Sequence, residues 1–467
     1  MSVSQSKSGF YRSAIILMLP LVLQNLITNS MALADTFMVG VLGETELSAV
    51  TLANSPFYVI SLMTFGIQSG TSVLAAQYYG KGDNRTLSRI LGIALYISVA
   101  LTGLAGTAAL LYPTQIMRLL TNNAELVGPG AVYCRWVGFA YLFDSVSQVY
   151  IGLQRSTENT KLGMWVLTGS GLLNVFLNWC LIFGHCGLPA MGVAGAALAT
   201  LLSRAVQLIA VLLYALRDKR IPLSPRLMLR PGLVISRDFF RFSLPVVINE
   251  TLWGFSQTAY TVVMGHMADS TRILSAYTLS GNLDRLLSVG LFAMGGAAAI
   301  IIGRDIGRAG STEDGIYHEA VQLNKLALVI GLISSSLILL LRTFAARQLI
   351  FPLMGLSSSA GDICMYMLLV SACLQPVRAL VMTNVVGVFR AGGDVNAAAL
   401  IDLLPLYLVA LPLTAICAMV LGAGIHVVAL TMYTDEVIKG FIILRRFPSR
   451  RWINNITRSE EALDHPA

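Results

Sequence analysis

The first half of the chain recurs in its second half, and both copies are apolar almost throughout. Leu-Pro-Leu-Val-Leu-Gln-Asn at 19–25 returns as Leu-Pro-Val-Val-Ile-Asn-Glu at 244–250, and LSAVTLANS at 47–55 returns as LSAYTLSGN at 274–282. The turn Gly80-Lys81 recurs as Gly307-Arg308, and Leu-Gln-Arg at 153–155 as Val-Phe-Arg at 388–390. The offset stays between about 225 and 235 residues. A duplicated hydrophobic chain builds two membrane lobes with a pathway between them. That is the architecture of a transporter, and seldom of an enzyme.

Hydrophobic residues make up 55% of the chain and charged residues 12%. A soluble domain carries roughly a quarter charged residues, so the charge here is too thin to cover a water-facing surface. At roughly 20 apolar residues per spanning helix the length accommodates about a dozen spans. They fall near 14–40, 47–77, 88–112, 130–153, 163–184, 191–216, 239–266, 274–303, 320–341, 361–389, 397–420 and 424–444. The expected fold is an all-α integral membrane protein, with twelve transmembrane helices in two pseudo-symmetric six-helix bundles. The expected divisions are a first lobe over 1–216, a basic linker over 217–238, a second lobe over 239–444 and a tail over 445–467. An even number of helices per half inserts both halves in the same orientation, so their symmetry axis runs along the membrane normal.

The loops alternate in charge. Segments 78–89, 155–161, 217–241, 304–308 and the tail hold most of the Lys and Arg, whereas the opposite loops hold little beyond Arg118, Arg272, Arg342 and Arg347. The positive-inside rule then places both termini and the linker in the cytoplasm, for a multi-pass protein of the cell (inner) membrane. The net charge of +8 reports topology and contact with anionic membrane lipid. Nucleic acid is not an expected partner, because the basic residues form no continuous surface. Lys7, Arg12 and the apolar run to Ala34 imitate a secretion signal, but Pro20, Gln24, Asn25 and Asn29 interrupt it, and it is read as a retained first helix. The tail beyond Arg451 is polar and expected to be loose. The six cysteines lie in or beside spans and read as small apolar residues; His185-Cys186 alone makes no metal site. No nucleotide loop, no H-e-x-x-H-type zinc motif and no nucleophile elbow is present, so no enzyme and no cofactor is expected.

An ionised side chain inside a membrane is costly and needs a partner or a task. Asp35, within ALADTFMVG, has no basic residue within one helical turn, and its repeat counterpart falls at about Tyr260. It reads as a carboxylate that takes a proton or Na+; the alternative is one satisfied by neighbouring hydroxyls. Asn174 and Asn178, four apart on one helix face, either complete an oxygen shell beside Asp35 or tie helices together. Thr200 follows a run of small residues that permits close backbone approach. Glu250 is followed at helical spacing by Trp253, Gln257 and either Tyr260 or Thr261, a face suited to a lipophilic cation, or else Glu250 pairs with Arg285 or Arg378. Asp284, Arg285, Arg378 and Asp402 read as one balancing set, Asp144 with Arg135 and Arg204 as another, and Lys439 as a local partner of Asp435 and Glu436. Pro20, Pro56, Pro245, Pro376, Pro405 and Pro412 fall inside spans, and Pro20 is the expected gating kink.

The stretches LPLVLQNLITNSMALADTFMVGVLG (19–43), AAQYYGKGD (75–83), NVFLNWCLIFG (174–184), MGVAGAALAT (191–200), LPVVINETLWGFSQ (244–257) and FRAGGD (389–394) together resemble the multidrug and toxic compound extrusion (MATE) family, over roughly 12–445. The resemblance implies two six-helix lobes in a V about a central cavity. It implies export of a small organic, cationic and amphipathic compound in exchange for Na+ or H+. A monomer is the expected working unit. The family's first-lobe cation site falls on Asp35, Asn174, Asn178 and Thr200, with Ala196 placed for a backbone contact. Many members carry a second carboxylate where this chain has Asn178. No metal beyond Na+ is implied. The alternative function within the superfamily is a flippase for lipid-linked precursors, for which Arg135, Arg204, Arg285 and Arg378 would hold a pyrophosphate.

Overall fold

Glycines and capping side chains cut this chain into helices, and nothing but helix, turn and loop occurs among the described residues. The computed structural model describes residues 7–218, 220–353 and 357–459; Lys219 of the basic linker and residues 460–467 of the tail lie outside them. The first half forms α1 (Lys7–Gly40), α2 (Glu44–Lys81), α3 (Asn84–Leu111), a short α4 (Pro113–Leu120), α5 (Ala124–Ser156), α6 (Thr160–Phe183) and α7 (Val193–Arg217). A five-residue α8 (Pro225–Leu229) lies in the linker. The second half forms α9 (Leu233–Gly265), α10 (Ser270–Leu287), α11 (Val289–Gly307), α12 (Glu313–Leu340), α13 (Phe351–Leu353), α14 (Ser358–Met382), α15 (Val395–Pro405), α16 (Leu411–Ala415), α17 (Ile425–Thr431) and α18 (Thr434–Arg446). The stop between α2 and α3 shows the local logic. Gly82 takes the left-handed conformation at φ 82°, which only glycine adopts without strain. Asp83 then caps α3, accepting from the Thr86 backbone N–H at 3.0 Å and from its hydroxyl at 2.7 Å.

Nine helices among the described residues are long and apolar enough to cross a membrane. They coincide with nine of the expected spans. The other three fall on α5 and α9, long helices diluted by Arg135 and Asp144 and by Arg237, Asp238, Arg241 and Glu250, and on the pair α17 and α18, broken at 432–433. Several expected spans are less regular than the pattern implied; besides the break at 432–433, the stretch 361–389 turns π-helical at Thr383–Phe389. The stretch 274–303 divides at Ser288 into α10 and α11. The stretch 397–420 turns π-helical at Leu406–Ala410 and Ile416–Val420, following Pro405 and Pro412, whose rings remove the backbone donors that an α-helix needs there.

The chain divides into two compact units whose bounds do not coincide with the linker. One comprises the described residues up to Val22 together with Thr251–Ile456; the other comprises Leu23–Glu250 and the described residues from Thr457. The cuts thus fall inside α1 and inside α9, each a few residues after a proline, Pro20 or Pro245. In the unit holding Leu23–Glu250, α5 is the hub and packs against α2, α3 and α7. In the other, α14 is the hub and packs against α10 and α12. Both hubs are the fourth span of their repeat, so the internal duplication extends from sequence to packing. Ala14 and Leu17 of α1 join the core of Leu291, Met294 and Ala298 from α11. At the corresponding place in the other unit, Gly66 and Gly70 of α2 admit the α9 backbone. A Cβ on either would lie 2.6 Å from the Cα of Val247 or of Ser243.

The linker and tail are built in. Gly92 of α3 lies against the Met228 carbonyl, and Ile221 is buried. The tail expected to be loose beyond Arg451 packs as far as it is described, because it carries an aromatic anchor. Trp452 has no exposed surface, stacks on Phe447 at 5.8 Å and donates its indole N–H to the Phe447 carbonyl at 3.0 Å. Further on, Arg458 clasps Asp238 of α9, one bond being 2.8 Å, and that carboxylate holds the guanidinium charged even more firmly than usual.

Candidate functional site

A row of glycines on α6 sets where the site forms. Gly163 faces Gln24 and Gly171 faces Met31 of α1; a Cβ at Gly171 would fall 1.6 Å from the Met31 sulfur. Two helices approach closely in a membrane where small residues line the seam. One turn beyond Met31 lies Asp35, and on the same face of α6 one and two turns beyond Gly171 lie Asn174 and Asn178. The close seam delivers both amides to the carboxylate. On the far side, Gly195 lets α7 approach the Leu181 carbonyl, which seats Ala196 and Thr200 beside Asn174.

The resulting cluster is tight. Asn178 Nδ2 donates to Asp35 Oδ1 at 2.5 Å. The Asn174 amide reaches both Asp35 oxygens at 2.7 and 3.2 Å. With its nitrogen turned inward it donates to them. With its oxygen inward it accepts from Asn178 Nδ2 at 3.3 Å while its nitrogen donates to Thr200 Oγ1 at 3.5 Å, and a proton or cation between it and the carboxylate oxygens makes that arrangement favourable. Thr200 Oγ1 in turn donates to the Ala196 carbonyl at 3.0 Å. Asn174 and Asn178 are 7% and 2% exposed, and the buried Asn178 Oδ1 has no hydrogen-bond donor. An oxygen left in this way beside a carboxylate is the kind of group a hard cation completes.

Asp35 has no basic partner within ion-pair distance among the described residues. The arginine in the same bundle, Arg204, is engaged elsewhere. It pairs with Asp144 at 3.2 Å and donates to Gln207 Oε1 at 2.7 Å, while Gln207 donates to Asp144 at 2.9 Å and accepts from Ser170 at 2.9 Å. The sequence grouped Asp144 with Arg135 as well, but Arg135 is exposed on α5 and makes no ion pair with it, since it lies more than two helical turns away on another face. Gln207 and Ser170 were invisible as members of this set, because a glutamine and a serine on apolar helices carry no spacing signal; Gln207 one turn past Arg204 was the only hint.

The second-lobe charges separate into two sets rather than one. Asp284 accepts from Arg378 at 2.9 Å and from Gln375 at 2.8 Å, with Ser371 also donating. Lys439 joins Asp402 and Asp435, each at 2.8 Å, so the expected local pairing to Asp435 stands while Asp402 belongs with Lys439 and not with Arg378. Arg285 is exposed. Along α9, Glu250, Trp253 and Gln257 are half-buried. Tyr260 is 3% exposed, sits in the core with Met264, Val428 and Met432, and donates to the Met432 carbonyl at 3.4 Å.

An all-helical, internally duplicated membrane chain, with a carboxylate–amide cluster in its first bundle that holds no basic side chain among the described residues, defines a multi-pass membrane transporter. The family model described as MatE matches residues 20–180. An uncharacterized transporter of Bacillus subtilis, YisQ, is 25% identical over 430 residues, 90% of each chain. The multidrug resistance protein PmpM of Pseudomonas aeruginosa is 24% identical over 326 residues, 69% of this chain and 67% of that one. A crystal structure of the Vibrio cholerae MATE transporter VcmN in a bent form matches the fold with a TM-score of 0.81 and 19% identity, over 95% of this chain and 97% of that one. The chain is thus similar to MATE transporters in its first part by the family model and over most of its length in fold.

Proposed function

We propose that the chain is a secondary antiporter of the inner membrane, with both termini cytoplasmic, that exports organic amphipathic cations in exchange for Na+ or H+ taken up at Asp35. The observation that carries this reading is the carboxylate–amide cluster with its donorless Asn178 oxygen. Asp35, Asn174, Asn178 and Thr200 offer side-chain oxygens, and Ala196 a backbone carbonyl. The set suits Na+ as an oxygen shell and suits a proton as a carboxyl donating to the Asn174 oxygen. Empty, the carboxylate is held by both amide N–H groups; occupied, the amides turn their oxygens to the ion. Uptake therefore exchanges one set of contacts on α1 for another.

Pro20 gives that exchange a mechanical outlet. It lacks a backbone donor, it lies two residues before the point at which α1 passes from one compact unit into the other, and Asp35 lies four turns further on. Occupying Asp35 bends α1 there and lowers the affinity for cargo; emptying it restores the cargo-binding state. Glu250, Trp253 and Gln257 are the proposed cargo contacts on α9, through charge and cation–π attraction, with Tyr260 behind them in the core. For an uncharged cargo, one ion crossing 100 mV supplies about 2.3 kcal/mol, enough for a gradient of roughly fiftyfold. A monovalent cation exchanged one for one is driven by the ion's concentration gradient alone.

The test is efflux of an ethidium-like cation from proteoliposomes, with Na+ and pH gradients imposed separately. One gradient drives efflux in the native chain, and Asp35→Asn loses that dependence while remaining folded. Ion-driven efflux by Asp35→Asn at the native rate would refute the mechanism. The flippase reading is not favoured: of the four arginines it requires, Arg204 and Arg378 are held by Asp144 and Asp284.

A further inference from the structure

The loop after α6 folds back onto the helix it leaves. The Cys180 carbonyl accepts from the backbone N–H of both Gly184 (3.0 Å) and His185 (2.9 Å). Gly184, Cys186 and Gly187 all take left-handed backbone conformations, at φ 78°, 58° and 78°. Glycine does so freely, whereas a cysteine there is uncommon. The His185 ring stacks on Trp179 at 4.3 Å, with Nδ1 3.1 Å from the Trp179 carbonyl. This reversal brings the Cys186 sulfur to 3.6 Å from that of Cys180. Cys180 is buried at the end of α6, while Cys186 is exposed. The segment 184–192, GHCGLPAMG, contains no Lys or Arg, and the flanking loops on the opposite side are the basic ones.

We propose that Cys180 and Cys186 form an intramolecular disulfide on the outer side of the membrane, fastening this loop to the end of α6. The inference rests on the topology given under Proposed function, since a stable disulfide needs an oxidising compartment. The oxidant is a disulfide-carrying thiol oxidant on that side. The exposed Cys186 thiolate attacks one sulfur of the donor disulfide, forming a mixed disulfide and releasing the donor's other sulfur as a thiolate. The Cys180 thiolate then displaces the donor from Cys186. Two protons leave the cysteines, the protein loses two electrons, and the donor is left reduced to its dithiol. The sulfurs have to close from 3.6 Å to a bond of about 2.05 Å. The loop so closed joins α6 to α7, whose backbones already meet where Met191 N–H donates to the Leu181 carbonyl at 2.8 Å. Asn178 precedes Cys180 by two residues and Ala196 follows the loop, so the bond holds the outer border of the cation cluster.

Full-length protein is acid-quenched in the membrane, alkylated without reductant, and digested. Both cysteines lie on one tryptic peptide, bounded by Lys161 and Arg204. The expected result is an unalkylated peptide two mass units lighter than the dithiol, which takes up two alkyl groups after reduction; in Cys186→Ser the remaining Cys180 is alkylated without reduction. Quantitative alkylation of both cysteines in the native chain would overturn the proposal. A membrane-impermeant thiol reagent applied to intact reduced cells separates the two ways of failing. Labelling of Cys186 from outside, with no disulfide found, refutes the bond alone, whereas labelling only from inside refutes the topology beneath it.

Discussion

Replacing Asn178 with alanine separates the two candidate coupling ions by the sign of its effect. The native amide does two things: its N–H holds the empty Asp35 carboxylate at 2.5 Å, and its oxygen stands free for a cation. A hydrogen bond to a charged group contributes about 1.5–3 kcal/mol, equivalent to roughly tenfold to a hundredfold in an equilibrium constant. Both amides are buried and Asp35 is half-buried, so water replaces the lost donor only in part. If protons drive transport, the empty carboxylate is destabilised and the proton binds more tightly. Half-maximal efflux then needs a tenfold to hundredfold lower proton concentration, that is, a pH about one to two units higher. If Na+ drives transport, the ion loses a ligand oxygen, and the Na+ concentration for half-maximal efflux rises. The assay is initial-rate efflux from proteoliposomes, titrated with the driving ion on the side from which it enters. An unchanged half-saturation for whichever ion drives the native chain would show that Asn178 does not contact the working site, and the cluster would lose its role.

Three further outcomes follow from packing. Lys439→Met takes the ammonium away from the buried Asp435 and from Asp402 and is expected to destabilise the chain by about 3–5 kcal/mol, read as a lower unfolding midpoint in detergent; adding Asp435→Asn should recover much of it. Gly70→Ala drives a Cβ into the Ser243 backbone and should cost about 1–3 kcal/mol, whereas Gly103→Ala, with open space around it, should be close to neutral in the same melt. Trp452→Ala removes a wholly buried indole from beneath the tail and should cost about 3–5 kcal/mol, with faster proteolysis after Arg446 as a second readout.

The architecture was legible because it is written in composition and periodicity. Apolar runs of spanning length and an offset repeat are sums over many residues, and single exceptions do not erase them. Asp35 was legible for the opposite reason, as one costly residue standing out against apolar neighbours. Partner choice was not. Whether Asp144 meets Arg135 or Arg204, or Asp402 meets Arg378 or Lys439, depends on which helices adjoin, and one chain read alone carries no signal of that. The breaks at Ser288 and after Pro405 and Pro412 were hidden because an apolar run stays apolar through a kink. The glycines of α6 were equally silent: Gly163 and Gly171 look like any membrane glycines until Gln24 and Met31 are seen against them.

The passage of α1 and α9 from one compact unit to the other has a consequence for how the molecule is made. A ribosome that has released residues up to 216 has emitted the helices α2 to α7, yet the groove along Gly66 and Gly70 still lacks the segment 233–250 that fills it. The opening turns of α1 wait longer, for α11 to arrive some 270 residues later. Neither repeat is therefore a self-sufficient product of translation. The ancestral duplication left two copies that each finish the other, and a gene split at the linker would yield two fragments, each with an open seam.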